Sequence, residues 1–293
     1  MSHTQVVCGE IQAGDVEGVI ALLTRGFSDT RDRSFWMAAL ERMRQHDTPA
    51  GYPRYGYLLK TEDKIVGAIL TIFAKVPSDR SGEVIRCNVS SWYVEETYWV
   101  FGTMLVARAM RHREATYINV TPAPHTWEIL AAQGFRKYCE GRLLSFPALS
   151  KSRTEARVVA FERDAPCVSP ATEWLAPGEA ELLAAHSQYG CISLVAHAGG
   201  KVFPFVFAPR RKFGVLPLLF LIYCRSMDDF VRFSPSVGRY LARRGFLSVV
   251  IDADGPVKDL PGLYWDSFPK FVRGPVQPRL GDIAYSERAM FGV

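Results

Sequence analysis

Apolar residues recur at helical spacing in Val16, Val19, Ile20, Leu22, Leu23 and Phe27, which predicts a helix over Asp15–Phe27 with Asp15 as its cap. Trp36, Met37, Leu40 and Met43 place a second helix from about Ser34 to His46, ended by Pro49, Gly51 and Pro53. Two β-rich runs, Tyr55–Leu59 and Ile65–Val76, flank the polar turn Lys60–Lys64 and read as a hairpin. A further strand follows at Val84–Val94, then a helix at Phe101–Arg113, a short strand at Tyr117–Val120 and a helix at His125–Gln133 closed by Gly134. The strand–helix–strand portion calls for parallel pairing through a right-handed crossover, and so for a mixed sheet with helices on both faces.

The polar stretch Pro147–Thr154 breaks this pattern, and beyond it the outline repeats. Tyr57–Val66 and Leu194–Phe203 share a polarity pattern at an offset of 137 residues. A helix at Gly178–His186 precedes the second hairpin. The apolar strand Leu216–Cys224, a helix at about Ser234–Arg244 and a strand at Leu247–Ile251 follow it. The pattern implies an internal duplication, with chance similarity between two mixed α/β halves as the alternative.

Composition fits two domains. The chain has 293 residues, 48% hydrophobic, 22% charged and 12% aromatic, with mean hydropathy +0.01. These values exclude a disordered chain, a collagen and a coiled coil. The formal charge of +5 suits an anionic ligand but is too dilute to argue for nucleic acid. The six cysteines are scattered without CxxC or metal-ligand spacing, so no metal site is expected. No basic-then-apolar leader opens the chain, and Gly214–Cys224 is too short for the ~20 residues of a membrane helix. The expectation is a cytoplasmic protein with no membrane partner. Nucleophile-elbow, Walker, zincin and dinucleotide motifs are absent.

The segments Ser90-Ser91-Trp92-Tyr93-Val94, Gly102–Ala109 and Tyr117–Val120, with the helix ending Ala132-Gln133-Gly134-Phe135, together resemble the GNAT superfamily of acyl-CoA N-acyltransferases. The resemblance covers roughly residues 5–145 and continues more faintly over 155–293. It implies an α/β fold of two tandem GNAT-like domains, 1–148 and 154–293, the second degenerate. It also implies a bulged strand whose backbone takes the pantetheine arm of CoA, and a following helix start that takes the pyrophosphate. The family's usual loop there is Arg/Gln-x-x-Gly-x-Gly/Ala. Here it reads Thr97-Tyr98-Trp99-Val100-Phe101-Gly102, in which Gly102 alone fits. The tyrosine that many members use to protonate the departing thiolate is Leu130 here. In the second half the matching loop, Arg225–Phe230, has no glycine and two carboxylates.

The resemblance implies acetyl-CoA or another acyl-CoA as co-substrate and transfer to an amine or hydroxyl of a small acceptor. Trp92, Tyr93 and Val94 would meet pantetheine, or Trp92 and Val94 are alternating core positions. Gly102 and Thr103 would meet phosphate, or merely start a helix. Glu95 is a candidate general base, or with Glu96 a solvated pair at a helix start. His125 is a candidate acid or base, or a cap-region histidine. Two other readings stand beside this one: a non-catalytic GNAT-like binding or scaffold protein, and an aminoacyl-tRNA-dependent transferase. The basic run Arg232, Arg239, Arg243 and Arg244 reads as a solvated helix face.

Overall fold

A computed structural model describes residues 5–78, 82–162, 175–212 and 216–292. The first helix, α1 (Val16–Gly26), turns Val19, Ile20, Leu22 and Leu23 inward. Asp15 stands at its N-cap position, as the sequence suggests, but its side chain makes no capping bond to the helix. Its carboxylate instead accepts the Gln12 N–H at 3.0 Å, across a 3-10 turn at Ala13–Asp15. Helix α2 (Arg33–Gln45) is capped by Asp32, which accepts the Phe35 N–H at 2.8 Å, and it buries Trp36, Ala39, Leu40 and Met43.

Strand β1 (Val7–Glu10) pairs antiparallel with β2 (Gly56–Lys60), which pairs antiparallel with β3 (Ile65–Ser78). Next in the sheet are β4 (Gly82–Val94) and β5 (Thr116–Asn119), joined in parallel as the crossover rule requires. Between them lies α3 (Gly102–Ala109), shorter than the apolar pattern suggests. The Tyr117 hydroxyl accepts the His112 N–H and donates to the His112 carbonyl, which satisfies that backbone outside a helix. Helix α4 (Trp127–Ala132) ends at Gly134, whose φ of +81° suits a residue without a Cβ.

The second sheet repeats the arrangement. Strands β8 (Arg157–Ala160), β9 (Ile192–Ala198), β10 (Lys201–Lys212), β11 (Leu216–Cys224) and β12 (Val249–Ala253) lie side by side, and β11 and β12 are parallel. The two hairpins matched in sequence are β2–β3 and β9–β10, at corresponding places in the two sheets. Helix α5 (Glu179–Gln188) precedes the second hairpin. Helix α6 (Met227–Ala242) follows β11 and begins seven residues before the expected Ser234. Ser226 caps it by accepting the Asp229 N–H at 3.0 Å, and Pro235 stands inside it. Phe230, Phe233, Val237 and Leu241 pack on Leu194, Phe205, Phe207, Leu219, Leu221 and Ile251 as one core.

The remaining strands are exchanged. Strand order is β1-β2-β3-β4-β5-β14-β6 in one sheet and, read from the corresponding edge, β8-β9-β10-β11-β12-β7-β13 in the other. Strands β6 (Arg136–Cys139) and β14 (Lys270–Arg273) are thus in the first sheet, whereas β7 (Gly141–Ser145) and β13 (Gly262–Trp265) are in the second. Each sheet takes one strand from the other half of the sequence at its sixth position. The last helix is α7 (Glu287–Met290). The chain forms two compact units, and no single cut separates them. The first is Met1–Lys75, Val84–Asn119 and Arg273–Val276; the second is Val76–Glu83, Val120–Val272 and Gln277–Val293. Among the described residues no helix is long and apolar enough to cross a membrane.

Candidate donor groove

The first unit contains a strand edge that its neighbour abandons. Strand β4 pairs with β5 only from Arg86 to Asn88, against Thr116 to Ile118. Beyond this register β5 stops at Asn119 while β4 runs on to Val94. Ser91, at φ 51°, sits in the left-handed region, where a residue with a Cβ is uncommon. The strained residue re-aims the strand just past the end of its parallel register, as a bulge does. An edge of this kind offers backbone N–H and C=O groups to an extended ligand.

The three residues after Ser91 face different neighbours. Trp92 lies against Gly102, where a Cβ would stand 3.3 Å from its ring, and its indole N–H is buried without a hydrogen-bond partner among the described residues. Tyr93 lies flat on Gly26 of α1, where a Cβ would be 2.5 Å from the ring, with Phe27 6.2 Å away. The Arg31 guanidinium stands over the rings of Phe27, Phe35 and Trp36 beside it, at 5.7, 4.9 and 5.4 Å. Val94 is buried, and its carbonyl accepts the Trp99 indole N–H at 2.9 Å.

Glu95 follows, its N–H bonded to the Val66 carbonyl at 2.8 Å. Its carboxylate takes Lys64 Nζ at 2.6 Å and Arg25 Nη2 at 3.0 Å. Partial burial pushes its pKa up, but the hydrogen bonds from Lys64 and Arg25 outweigh this and hold it below the usual carboxylate range. The same pairing raises the Lys64 ammonium. Glu95 is therefore ionised at neutral pH and a weak base. Neither Arg25 nor Lys64 stood out in the sequence, because the pairing joins α1, a hairpin turn and the end of β4.

The segment that should cradle phosphate is itself helical. Residues Glu96–Phe101 form a 3-10 turn that runs directly into α3. The Gly102 N–H is bonded to the Trp99 carbonyl, and Thr103 is exposed one residue further on. The N-terminal end of this composite helix lies at Glu96, whose carboxylate already meets the positive end of the dipole. Trp92, Tyr93, Val94, Glu95, Gly102 and Thr103 thus all belong to the first unit. His125 is exposed in a 3-10 turn at Pro124–Thr126, within the second unit, and Leu130 is buried there.

In the second unit the corresponding edge is occupied by the chain itself. The register of β10 against β11 shifts between Val206 and Phe207, which leaves Ile222 as the extra residue of a bulge. Strand β12 pairs with β11 at Leu219 and Phe220, against Val249 and Val250. Past that point Tyr223 bridges Asp282, the Cys224 N–H donates to the Gly281 carbonyl at 2.8 Å, and the Ile283 N–H donates to the Ile222 carbonyl at 2.9 Å. Arg279 Nη2 adds a bond to the Cys224 carbonyl at 3.2 Å. The helix start that follows carries Asp228 and Asp229 in its first turn. Among the described residues no cluster of histidine, cysteine or carboxylate side chains could hold a metal ion.

No family model and no curated protein matches the sequence. Solved structures match along nearly its whole length. A Pyrococcus horikoshii protein assigned as an acetyltransferase is 14% identical, with 97% of this chain and 95% of that one covered at a TM-score of 0.59. A GCN5-related N-acetyltransferase from Anabaena variabilis is 9% identical over 92% of this chain and 72% of that one, TM-score 0.58. Another from Kribbella flavida is 14% identical over 92% and 71%, TM-score 0.56. At such identities the likeness is one of fold. Two tandem GNAT-like folds account for the two seven-stranded sheets.

Proposed function

We propose that the first unit is an acyltransferase that takes its acyl group from a pantetheine thioester, acetyl-CoA or a longer acyl-CoA, and passes it to an amine or hydroxyl of a small acceptor. The reading rests on one observation: β4 runs past its parallel partner to Val94 around a left-handed Ser91. It also takes the halves 1–148 and 154–293 as products of one duplication, of which the second has lost its donor role.

The residues fit one end of such a donor and not the other. The edge from Ser91 to Val94 supports an extended arm, lined by Trp92 on one face and Tyr93 on the other. The turn at Glu96–Phe101 offers no cation and no free N–H at Gly102 for a pyrophosphate. The thioester supplies an activated carbonyl and a good leaving group when bound. Backbone N–H groups of the strand hold that carbonyl in reach of the acceptor, so catalysis rests on proximity and polarisation. A thiolate with an ordinary thiol pKa of about 8.5 departs without an acid, which accommodates Leu130. Glu95, at the end of β4, is the candidate to take the acceptor's proton.

Hydrogen exchange of the whole chain with and without acetyl-CoA tests the reading. Amides from Ser91 to Val94 are expected to slow on binding. Unchanged exchange there, with no heat of binding at millimolar acetyl-CoA, would rule it out. Trp99 on the Val94 carbonyl favours the rival reading of a non-catalytic GNAT-like binding protein, which the same null result would support.

A further inference from the structure

Taking the β4 edge as the donor groove, we propose that this protein recognises its donor through the pantetheine arm alone and does not read the nucleotide end. The substrate class is a pantetheine thioester, whether borne by CoA or by a protein.

Four observations meet at the turn Glu96–Phe101. Residues Glu95 to Met104 contain no lysine, arginine or histidine, and the helical segment opens on Glu96. A phosphate there would face a carboxylate where the helix dipole would otherwise attract it. The Gly102 N–H is consumed within the turn by the Trp99 carbonyl. At the end of β4 the side chains of Arg25 and Lys64 are both bound to Glu95, at 3.0 and 2.6 Å. Finally, large apolar side chains are exposed on this turn: Trp99 is 66% exposed, Val100 78% and Met104 41%. Each charge-assisted hydrogen bond to a phosphate is worth roughly tenfold in affinity, and the side chains of Glu95 to Met104 offer none from a cation. The arm-binding edge lies just before this turn and touches it through Trp99, on the Val94 carbonyl, and Gly102, against Trp92.

Calorimetric titration of the full chain with acetyl-CoA and with S-acetylpantetheine decides the matter. The two dissociation constants are expected within about threefold of each other, and both should change less than about twofold between roughly 50 and 500 mM salt. Acetyl-CoA binding more than about thirtyfold tighter, or weakening steeply with salt, overturns the inference and leaves the donor reading intact. Binding of neither ligand overturns the donor reading and this inference with it. A third ligand, an acetylated phosphopantetheinyl carrier protein, separates the sources. Affinity about tenfold above that of S-acetylpantetheine marks the protein-borne arm, and equal affinity marks the free thioester; both support recognition by the arm. A Glu96→Arg variant supplies the missing cation. It should tighten acetyl-CoA about fivefold or more and S-acetylpantetheine less than about twofold, and equal tightening of both would count against the inference.

Discussion

Glu95 holds Arg25 and Lys64 on its two oxygens, and a carboxylate so engaged serves either as a tie or as a base. Replacing it with glutamine separates the roles. Both partners are more than half exposed, so loss of the ion pairs should lower stability by less than about 1 kcal/mol in a denaturant titration. If Glu95 takes the acceptor's proton, kcat/KM should fall about 10²-fold or more while the fold persists. Its depressed pKa also places the acid limb of the rate profile below the usual carboxylate range. Three histidines have an effect of their own on pH dependence. His46 is depressed by burial, His112 by burial and Arg111, and His197 by burial and Arg157. Below the ordinary histidine pKa of about 6.5 the unfolded chain binds protons that the folded chain refuses. Stability should therefore fall as pH drops from about 7.5 to about 5.5, and a variant with glutamine at all three positions should show a shallower fall in urea midpoints. None of these shifts is legible from sequence spacing, because each depends on what packs over the side chain.

Elements were the most legible level. Periodicity located α1, α2, the first hairpin, β4 and β11, since each must bury one face and its pattern records that face. A boundary departs from the pattern where a local bond competes with it, as at His112, whose backbone is held by the Tyr117 hydroxyl beyond the end of α3. Helix α6 shows the opposite case. Pro235 suggests a start near Ser234, yet Ser226 supplies the cap and the helix carries its proline in the interior. Ser226→Ala should lower stability by about 1 kcal/mol, read as a shift in urea midpoint. Gly238 on the same helix has the Pro147–Ala148 backbone where a Cβ would stand. Gly238→Ala should therefore cost about 1–3 kcal/mol through overpacking, measured the same way, with a displaced turn at Pro147–Leu149.

At the scale of the whole chain, the repeated pattern in sequence and the pair of sheets agree, but the exchange of β7 and β14 is invisible in either half alone. Strands β6 and β7 are separated by a single residue, Glu140, yet join different sheets. In the second unit β14 brings Lys270, fully buried, to within 2.5 Å of Asp252. Burial lowers the Lys270 ammonium despite that partner. Lys270→Met should destabilise by about 3–5 kcal/mol by leaving Asp252 with Arg142 at 4.0 Å, and adding Asp252→Leu should not restore the loss, because it takes the carboxylate from the buried Arg142 as well. Chemical denaturation of the three variants measures this. Segment Gly281–Ile283 fills the second β11 edge, so acetyl-CoA should titrate to one equivalent per chain, and calorimetric stoichiometry gives the count.

The order of residues alone carries the alternation of strands and helices, the repeated hairpin, and the absence of cations and glycines from the turn before Gly102. All of these are local properties of pattern and composition. The tertiary structure decided which strands share a sheet, and that Glu95 is tied by Arg25 and Lys64. In one sheet β4 runs on past its parallel partner, while in the other the matching β11 edge is closed by residues nearly sixty positions away. Such pairings are chosen by backbone groups, which are the same in every residue and leave no mark in the order of side chains.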